Sequence, residues 1–170
     1  MLRPFINKAL IIIIKMDFIE NKSEYYQIIE PVVNSYGFEI VEINAKNRPD
    51  GLYINIVLYS PKGISLNDCS KVHRTVQGRL EVHTGNRDIF IEVSSPGISR
   101  NLKSANEFNV FKGKIVKLLF TDKLEWEYYK IKESDKESVL LEPINKDDPS
   151  QNSDEIKVQY PEIRKAKLES

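Results

Sequence analysis

The chain has 170 residues, 41% of them hydrophobic and 29% charged, which is enough for one ordinary domain or two small ones and excludes a disordered tail. Its 25 basic residues balance 25 acidic ones, so a histone-like polycationic coat is excluded while a local basic face is not. A single cysteine, Cys69, permits neither an intrachain disulfide nor a cysteine-based zinc cage, and a chain without disulfides points to a reducing compartment.

Residues 1–15 carry Arg3, Lys8 and Lys15 and no acid. Their apolar core, Ala9 to Ile14, is far short of the roughly 20 residues of a membrane span. It also falls at or below the roughly 7–15 residues of a signal-peptide core, and no small-residue cleavage site follows. Met16 comes next, so residues 1–15 are expected to be an N-terminal extension produced by a start-site artefact. The weaker alternative is a membrane-surface anchor.

From residue 21 to 36, Tyr25, Ile28, Ile29, Val32, Val33 and Tyr36 recur at helical spacing. Pro31 removes one backbone donor, which predicts a bent helix, and Gly37 suits the left-handed position past its end. Phe38–Lys46 is expected to be a strand. Arg48-Pro49-Asp50-Gly51 is a turn, with Gly51 at the positive-φ position. In the next strand, Leu52–Ser60, Leu52, Ile54, Ile56 and Leu58 alternate with Tyr53, Asn55, Val57 and Tyr59, so the first set faces a core. The two strands make a hairpin.

Ser65 and Asp68 form a capping box with Asp in place of Glu. The helix that follows presents Leu66, Cys69, Val72, Val76 and Leu80 as its apolar stripe, with Lys71, Arg74 and Arg79 on other faces. Ile89, Ile91 and Val93 make a third strand. Ser104 and Glu107 form a second capping box ahead of a one- to two-turn helix. Short strands are then expected over 114–121, 126–132, 138–144 and 155–160, with a strand or turn over 163–168 and a polar surface loop over 145–154. Strands at this spacing suggest a small barrel. The predicted domains are an extension (1–15), an α+β domain (16–103; helix, strand, strand, helix, strand) and an all-β domain (104–170). Residues 71–103 hold six basic and three acidic residues, so the positive charge of the first domain gathers near its end.

No catalytic residue, cofactor site or metal site emerges. A Walker A loop at Gly113-Lys114 would need glycine where Phe108 stands and a hydroxyl residue where Ile115 stands. There is no GxGxxG, no HExxH and no Ser-x-x-Lys. His73 and His83 have no ligand-rich surroundings. Cys69 lies on an apolar stripe and reads as a structural thiol, and Asp147-Asp148 sit in a polar loop.

One stretch is specific. From Ile91 to Leu102 a strand ends in Ser94-Ser95, turns at Pro96-Gly97 and continues through Ile98-Ser99-Arg100-Asn101-Leu102. Two hydroxyls satisfying a turn would explain it on structural grounds alone. It also resembles the signature of the ribosome maturation factor RimP family, Leu-Glu-Val-Ser-Ser-Pro-Gly-Leu-Asp-Arg-Pro-Leu. Residues 63–74, 111–116 and 161–168, and the Ile28–Val33 helix with its proline, are similar to further motifs of that family in the same order. The resemblance runs from about Asn21 to Leu168. Ser99, Asn101 and Asn67 depart from the family's usual Asp, Pro and Asp, and Leu80-Glu81 stands for Leu-Asp.

The resemblance implies a factor that binds the free small (30S) ribosomal subunit and helps it mature. It implies a second domain that is an SH3-like or Sm-like barrel, and no enzymatic activity. It also implies a cytoplasmic monomer without cofactor, membrane attachment or small-molecule substrate. The candidate ribosome contacts are Lys71, Arg74, Arg79, Ser94, Ser95, Pro96, Gly97, Arg100 and Lys103. Arginines and lysines would meet rRNA phosphates, and the Ser-Ser-Pro-Gly turn would place the domains or touch a ribosomal protein. Gly97 is expected at positive φ, as in a type II turn. The competing reading is a stand-alone RNA- or protein-binding module acting away from the ribosome; an RNA-modifying enzyme lacks a site.

Overall fold

The computed structural model describes residues 24–97, 99–144 and 154–169. The extension 1–15, the start of the first predicted helix, Ile98 and most of the polar loop lie outside the described residues. The chain divides into two compact units after Gly97.

The first unit runs α1 (Tyr26–Ser35), β1 (Glu39–Arg48), β2 (Gly51–Tyr59), α2 (Leu66–Thr84) and β3 (Ile89–Ser94). α1 continues through Pro31, which lies on the solvent side, so the lost backbone donor leaves its acceptor to water. It closes in a Schellman motif: the Gly37 N–H donates to Asn34 O (2.9 Å) and the Phe38 N–H to Val33 O (3.3 Å), with Gly37 at φ 76°. β1 and β2 pair antiparallel across the Pro49-Asp50 turn. At Gly51 the requirement for glycine is twofold. Its φ is 148°, and a Cβ there would come within 2.4 Å of Asp88 O, which accepts the neighbouring Leu52 N–H at 2.9 Å.

α2 starts at the predicted capping box: Ser65 Oγ accepts the Asp68 N–H (3.2 Å) and Asp68 Oδ2 accepts the Ser65 N–H (3.0 Å). Two donors left over at every helix start are thereby satisfied. The helix returns the chain so that β3 lies parallel to β2, giving sheet order β1-β2-β3. Val72, Val76 and Leu80 of α2 and Ile29, Val32 and Val33 of α1 pack with Leu52, Ile54, Ile56 and Leu58 in one core. Each fully buried aliphatic side chain contributes about 1.5–3 kcal/mol. Leu66, expected to open the stripe, is instead 88% exposed, and the fully buried part of the stripe begins at Val72. Cys69 is half-buried, and burial pushes its thiol pKa up, away from nucleophile chemistry.

The second unit holds α3 (Ala105–Val110), β4 (Ile115–Phe120), β5 (Glu127–Ser134), β6 (Ser138–Pro143), β7 (Ile156–Gln159), a 3-10 turn (Tyr160–Glu162) and β8 (Ile163–Glu169). All ladders are antiparallel, in the order β7-β6-β5-β4-β8. Among the described residues no ladder joins β7 to β8, so the sheet is not closed into the expected barrel. Its inward rows, including Val116, Leu118, Ile131 and Leu141, bury Phe108 and Phe111 from α3 and the turn after it.

The sequence places the domain boundary after Lys103, whereas the units separate after Gly97. The reason is the backbone of 100–102, which joins the outer edge of β8. The Leu102 N–H donates to Ala166 O (2.9 Å), the Leu168 N–H donates to Arg100 O (2.8 Å), and Leu102 is fully buried.

Candidate nucleic-acid interface

The nine candidate residues do not fall on one element. Lys71, Arg74 and Arg79 stand on α2 and are exposed, and none forms an ion pair among the described residues. Lys71 and Arg74 are three positions apart and share a face; Arg79 lies on its flank. Two helical cations without partners keep their full attraction for a phosphate, reduced only by salt.

Ser94 ends β3, in register with Val57 of β2. Ser95 and Gly97 are exposed and Pro96 is half-buried. Among the described residues neither serine hydroxyl makes a hydrogen bond, so the expected satisfaction of turn groups by these hydroxyls is not what holds the segment. Gly97 also differs from expectation. It is not among the positive-φ glycines, and a Cβ placed on it would meet nothing within 4 Å. Its backbone is therefore open to any L-residue, and no turn that requires a left-handed glycine forms here.

Arg100 belongs to the second unit and is largely engaged inside it. Its Nε donates to Glu107 Oε2 at 2.6 Å and its Nη2 to Glu107 Oε1 at 3.3 Å, with the two side chains 12% and 2% exposed. The Lys103 backbone N–H adds a third donor to Glu107 Oε1 at 3.1 Å. A fork of this kind is among the stronger hydrogen-bonded ion pairs. The predicted second capping box is accordingly only half made. Ser104 Oγ accepts the Glu107 N–H (3.3 Å), but the Glu107 carboxylate turns to Arg100 and Lys103. Lys103 itself is exposed.

Sequence reasoning missed a basic face on the second sheet. Lys117 of β4 stands in register with Lys167 of β8 and Tyr128 of β5, and Lys165 stands opposite Leu119. Lys130 of β5 stands opposite Ile115 on the same outward side. Two acids share this side: Glu169 pairs with Lys117 at 3.1 Å and Glu142 of β6 stands opposite Lys130, while the Lys117 ammonium lies 5.8 Å from the centre of the Trp126 ring. Lys130, Lys165 and Lys167 make no ion pair among the described residues. The signal was the alternation Lys165-x-Lys167, which a strand converts into one face.

Among the described residues there is no group of three or more His, Cys, Asp or Glu side chains able to hold a metal, and no helix long and apolar enough to cross a membrane. The arrangement offers positive charge and hydroxyls on exposed surfaces, which suits a polyanionic partner better than a small ligand.

The comparisons with known proteins agree with the layout. A family model described as the RimP N-terminal domain matches residues 28–99, from within α1 to just past the Ser-Ser-Pro-Gly stretch. The chain is 30% identical to the ribosome maturation factor RimP of Borrelia recurrentis (strain A1) over 150 residues, covering 88% of this chain and 97% of that protein. It is 31% identical to the RimP of Borrelia hermsii (strain HS1 / DAH) over the same shares, and 31% identical to that of Borrelia turicatae (strain 91E135) over 87% of this chain and 96% of the relative. Both units are included in these alignments, which cover nearly all of each relative: the chain belongs to the RimP family of ribosome maturation factors.

Proposed function

We propose that the chain binds the free small (30S) ribosomal subunit and assists its maturation as a non-catalytic assembly factor, a cytoplasmic monomer without cofactor. The observation that carries this reading is the likeness to ribosome maturation factors along 88% of the chain and nearly all of each relative. The exposed cations support it. Lys71, Arg74 and Arg79 on α2, Lys103, and the lysines of the second sheet supply charge toward rRNA phosphates, where contacts position without reading sequence. Ser94 to Gly97 provide a short connection, exposed at Ser95 and Gly97, whose hydroxyls are available to a ribosomal protein. Arg100 acts through Glu107, by fixing the start of the second unit, rather than by direct contact. The second sheet, with its packed inner face, serves as the SH3-like or Sm-like module of this reading.

Net charge near zero suits a factor that must leave the finished particle, because binding then depends on a few local contacts. Co-sedimentation tests the proposal. The protein is expected to travel with free small subunits and to avoid assembled ribosomes. The double variant Lys71→Gln/Arg74→Gln is expected to lower the salt slope of binding by about 0.7–0.9 for each phosphate that is no longer neutralised. Equal sedimentation with assembled ribosomes, or none with free subunits, would reject the reading.

A further inference from the structure

Both helices of the first unit cover one face of the β1-β2-β3 sheet, and the opposite face carries an ordered row of side chains. Tyr53 of β2 and Phe90 of β3 are in register, and their rings stack at 4.6 Å with planes 19° apart. On β1, Arg48 lays its guanidinium 4.1 Å over the Tyr53 ring. Tyr53 is held in place by its hydroxyl, which donates to Asp50 Oδ2 at 2.6 Å. The result is a three-layer stack of guanidinium, phenol and phenyl across the sheet. It ends at Phe90 on the edge strand, where the ring remains 49% exposed.

Two residues further along, Asn44, Asn55 and Glu92 stand in register, and Asn55 Nδ2 donates to Glu92 Oε2 at 3.3 Å. Amide and carboxylate groups thus sit one step from the aromatic row. Lys46, opposite Tyr53 on β1, is exposed and makes no ion pair among the described residues. Between these rows lies a depression of about 370 Å³.

We infer that the open end of this sheet face, around Tyr53 and Phe90, is a stacking platform for unpaired bases of single-stranded RNA. A cross-strand aromatic pair alone would account for Tyr53, since such pairs stabilise sheets. The rest of the arrangement matches what an unpaired nucleotide needs. An exposed ring continues an existing stack, amides and a carboxylate within reach can pair with a base edge, and an ammonium and a guanidinium on the β1 side complement a phosphate. Duplex RNA fits less well. It presents phosphates continuously and hides its base faces, while the charge on this face is sparse and includes Glu92. The inference rests on the ribosomal reading for the identity of the nucleic acid as RNA.

Fluorescence anisotropy with a labelled unstructured RNA oligonucleotide, and with the same sequence as a duplex, tests it on the full chain. Wild type is expected to prefer the single strand. Phe90→Ala should weaken that binding about tenfold or more, the range of one base stack removed, without changing its salt slope. Phe90→Tyr should restore it, and Lys46→Gln should lower the slope by about 0.7. Phe90→Leu keeps an apolar side chain at this half-exposed site and covers the case in which the alanine variant melts early.

Co-sedimentation with free small subunits, run in parallel, separates the two readings. If Phe90→Ala and Phe90→Leu bind the single strand like wild type, the platform is refuted, whether or not subunits are bound. If those variants lose only subunit binding, the face belongs to a protein partner and the RNA inference is again overturned. If wild type binds the oligonucleotide through Phe90 but never co-sediments, the platform stands and the ribosomal reading falls.

Discussion

Arg100→Ala decides whether this arginine touches the partner or organises the fold. The substitution removes a guanidinium that gives two hydrogen bonds to Glu107, whose side chain is 2% exposed. A carboxylate so buried cannot regain water, so the loss of its partner is expected to cost about 3–5 kcal/mol, far more than an exposed pair is worth. For a unit of this size each kcal/mol moves the melting temperature by about 4–8 °C, which predicts a fall of at least ~12 °C. The chain's one tryptophan, Trp126, lies in the second unit, so its fluorescence reports that unit's melting. Arg100→Met with Glu107→Leu removes both charges and should recover most of the loss, because no uncompensated ion remains. Subunit binding should follow stability in both variants. If Arg100→Ala melted within about 0.5 kcal/mol of wild type and still failed to bind, the guanidinium would touch the partner directly and the organiser argument would fail.

Two further outcomes follow from the backbone and from titration. Gly51→Ala is expected to destabilise the first unit by about 1–3 kcal/mol or more, since its Cβ would meet Asp88 O at 2.4 Å, whereas Gly97→Ala should stay within about 0.5 kcal/mol; urea melts followed by circular dichroism compare the two directly. Asp135 caps the β5–β6 turn, accepting the Glu137 N–H (2.8 Å), the Ser138 hydroxyl (2.8 Å) and the Ser138 N–H (2.7 Å), and these bonds hold its carboxyl at about 2, below its ordinary 3.8. A lowered pKa gives stability that is complete above the unfolded value and disappears as pH falls through the folded one. Melts of wild type should therefore lose this contribution between about pH 4 and pH 2, and Asp135→Asn should flatten that part of the profile; an unchanged slope would show that the turn bonds do not favour the ionised form.

Local chemistry was legible in the sequence where one turn of chain contains all the parts. The Ser65–Asp68 box, the Gly37 helix end and the Gly51 turn each depend on residues within a few positions. The alternation of Leu52, Ile54, Ile56 and Leu58 likewise specifies a face without further information. Glu107 shows where this reading ends. Its spacing from Ser104 spells a capping box, yet its carboxylate bonds Arg100, seven residues away, because burial of the helix start favours an ionic partner over a solvated cap. Leu66 fits the helical period yet is exposed, because spacing marks a helix face and not how far along that face the core reaches. The aromatic row of Tyr53 and Phe90 was hidden for another reason: its members are 37 positions apart and meet only through the parallel pairing of β2 with β3.

The position of β8 bears on how the protein is made. β8 completes the ladder beside β4 and receives the 100–102 segment on its other side, yet it follows both in chain order. Domains emerging from the ribosome generally fold as units, N-terminal first. The first unit has every strand it needs once β3 is out. The second must wait, with the β4 edge and the Arg100–Leu102 backbone both unpaired, until the last of its strands arrives. During that interval an open strand edge is available to any passing chain, the condition under which sheet proteins mispair. Stalled or shortened translation products would thus carry a finished first half joined to an aggregation-prone second half.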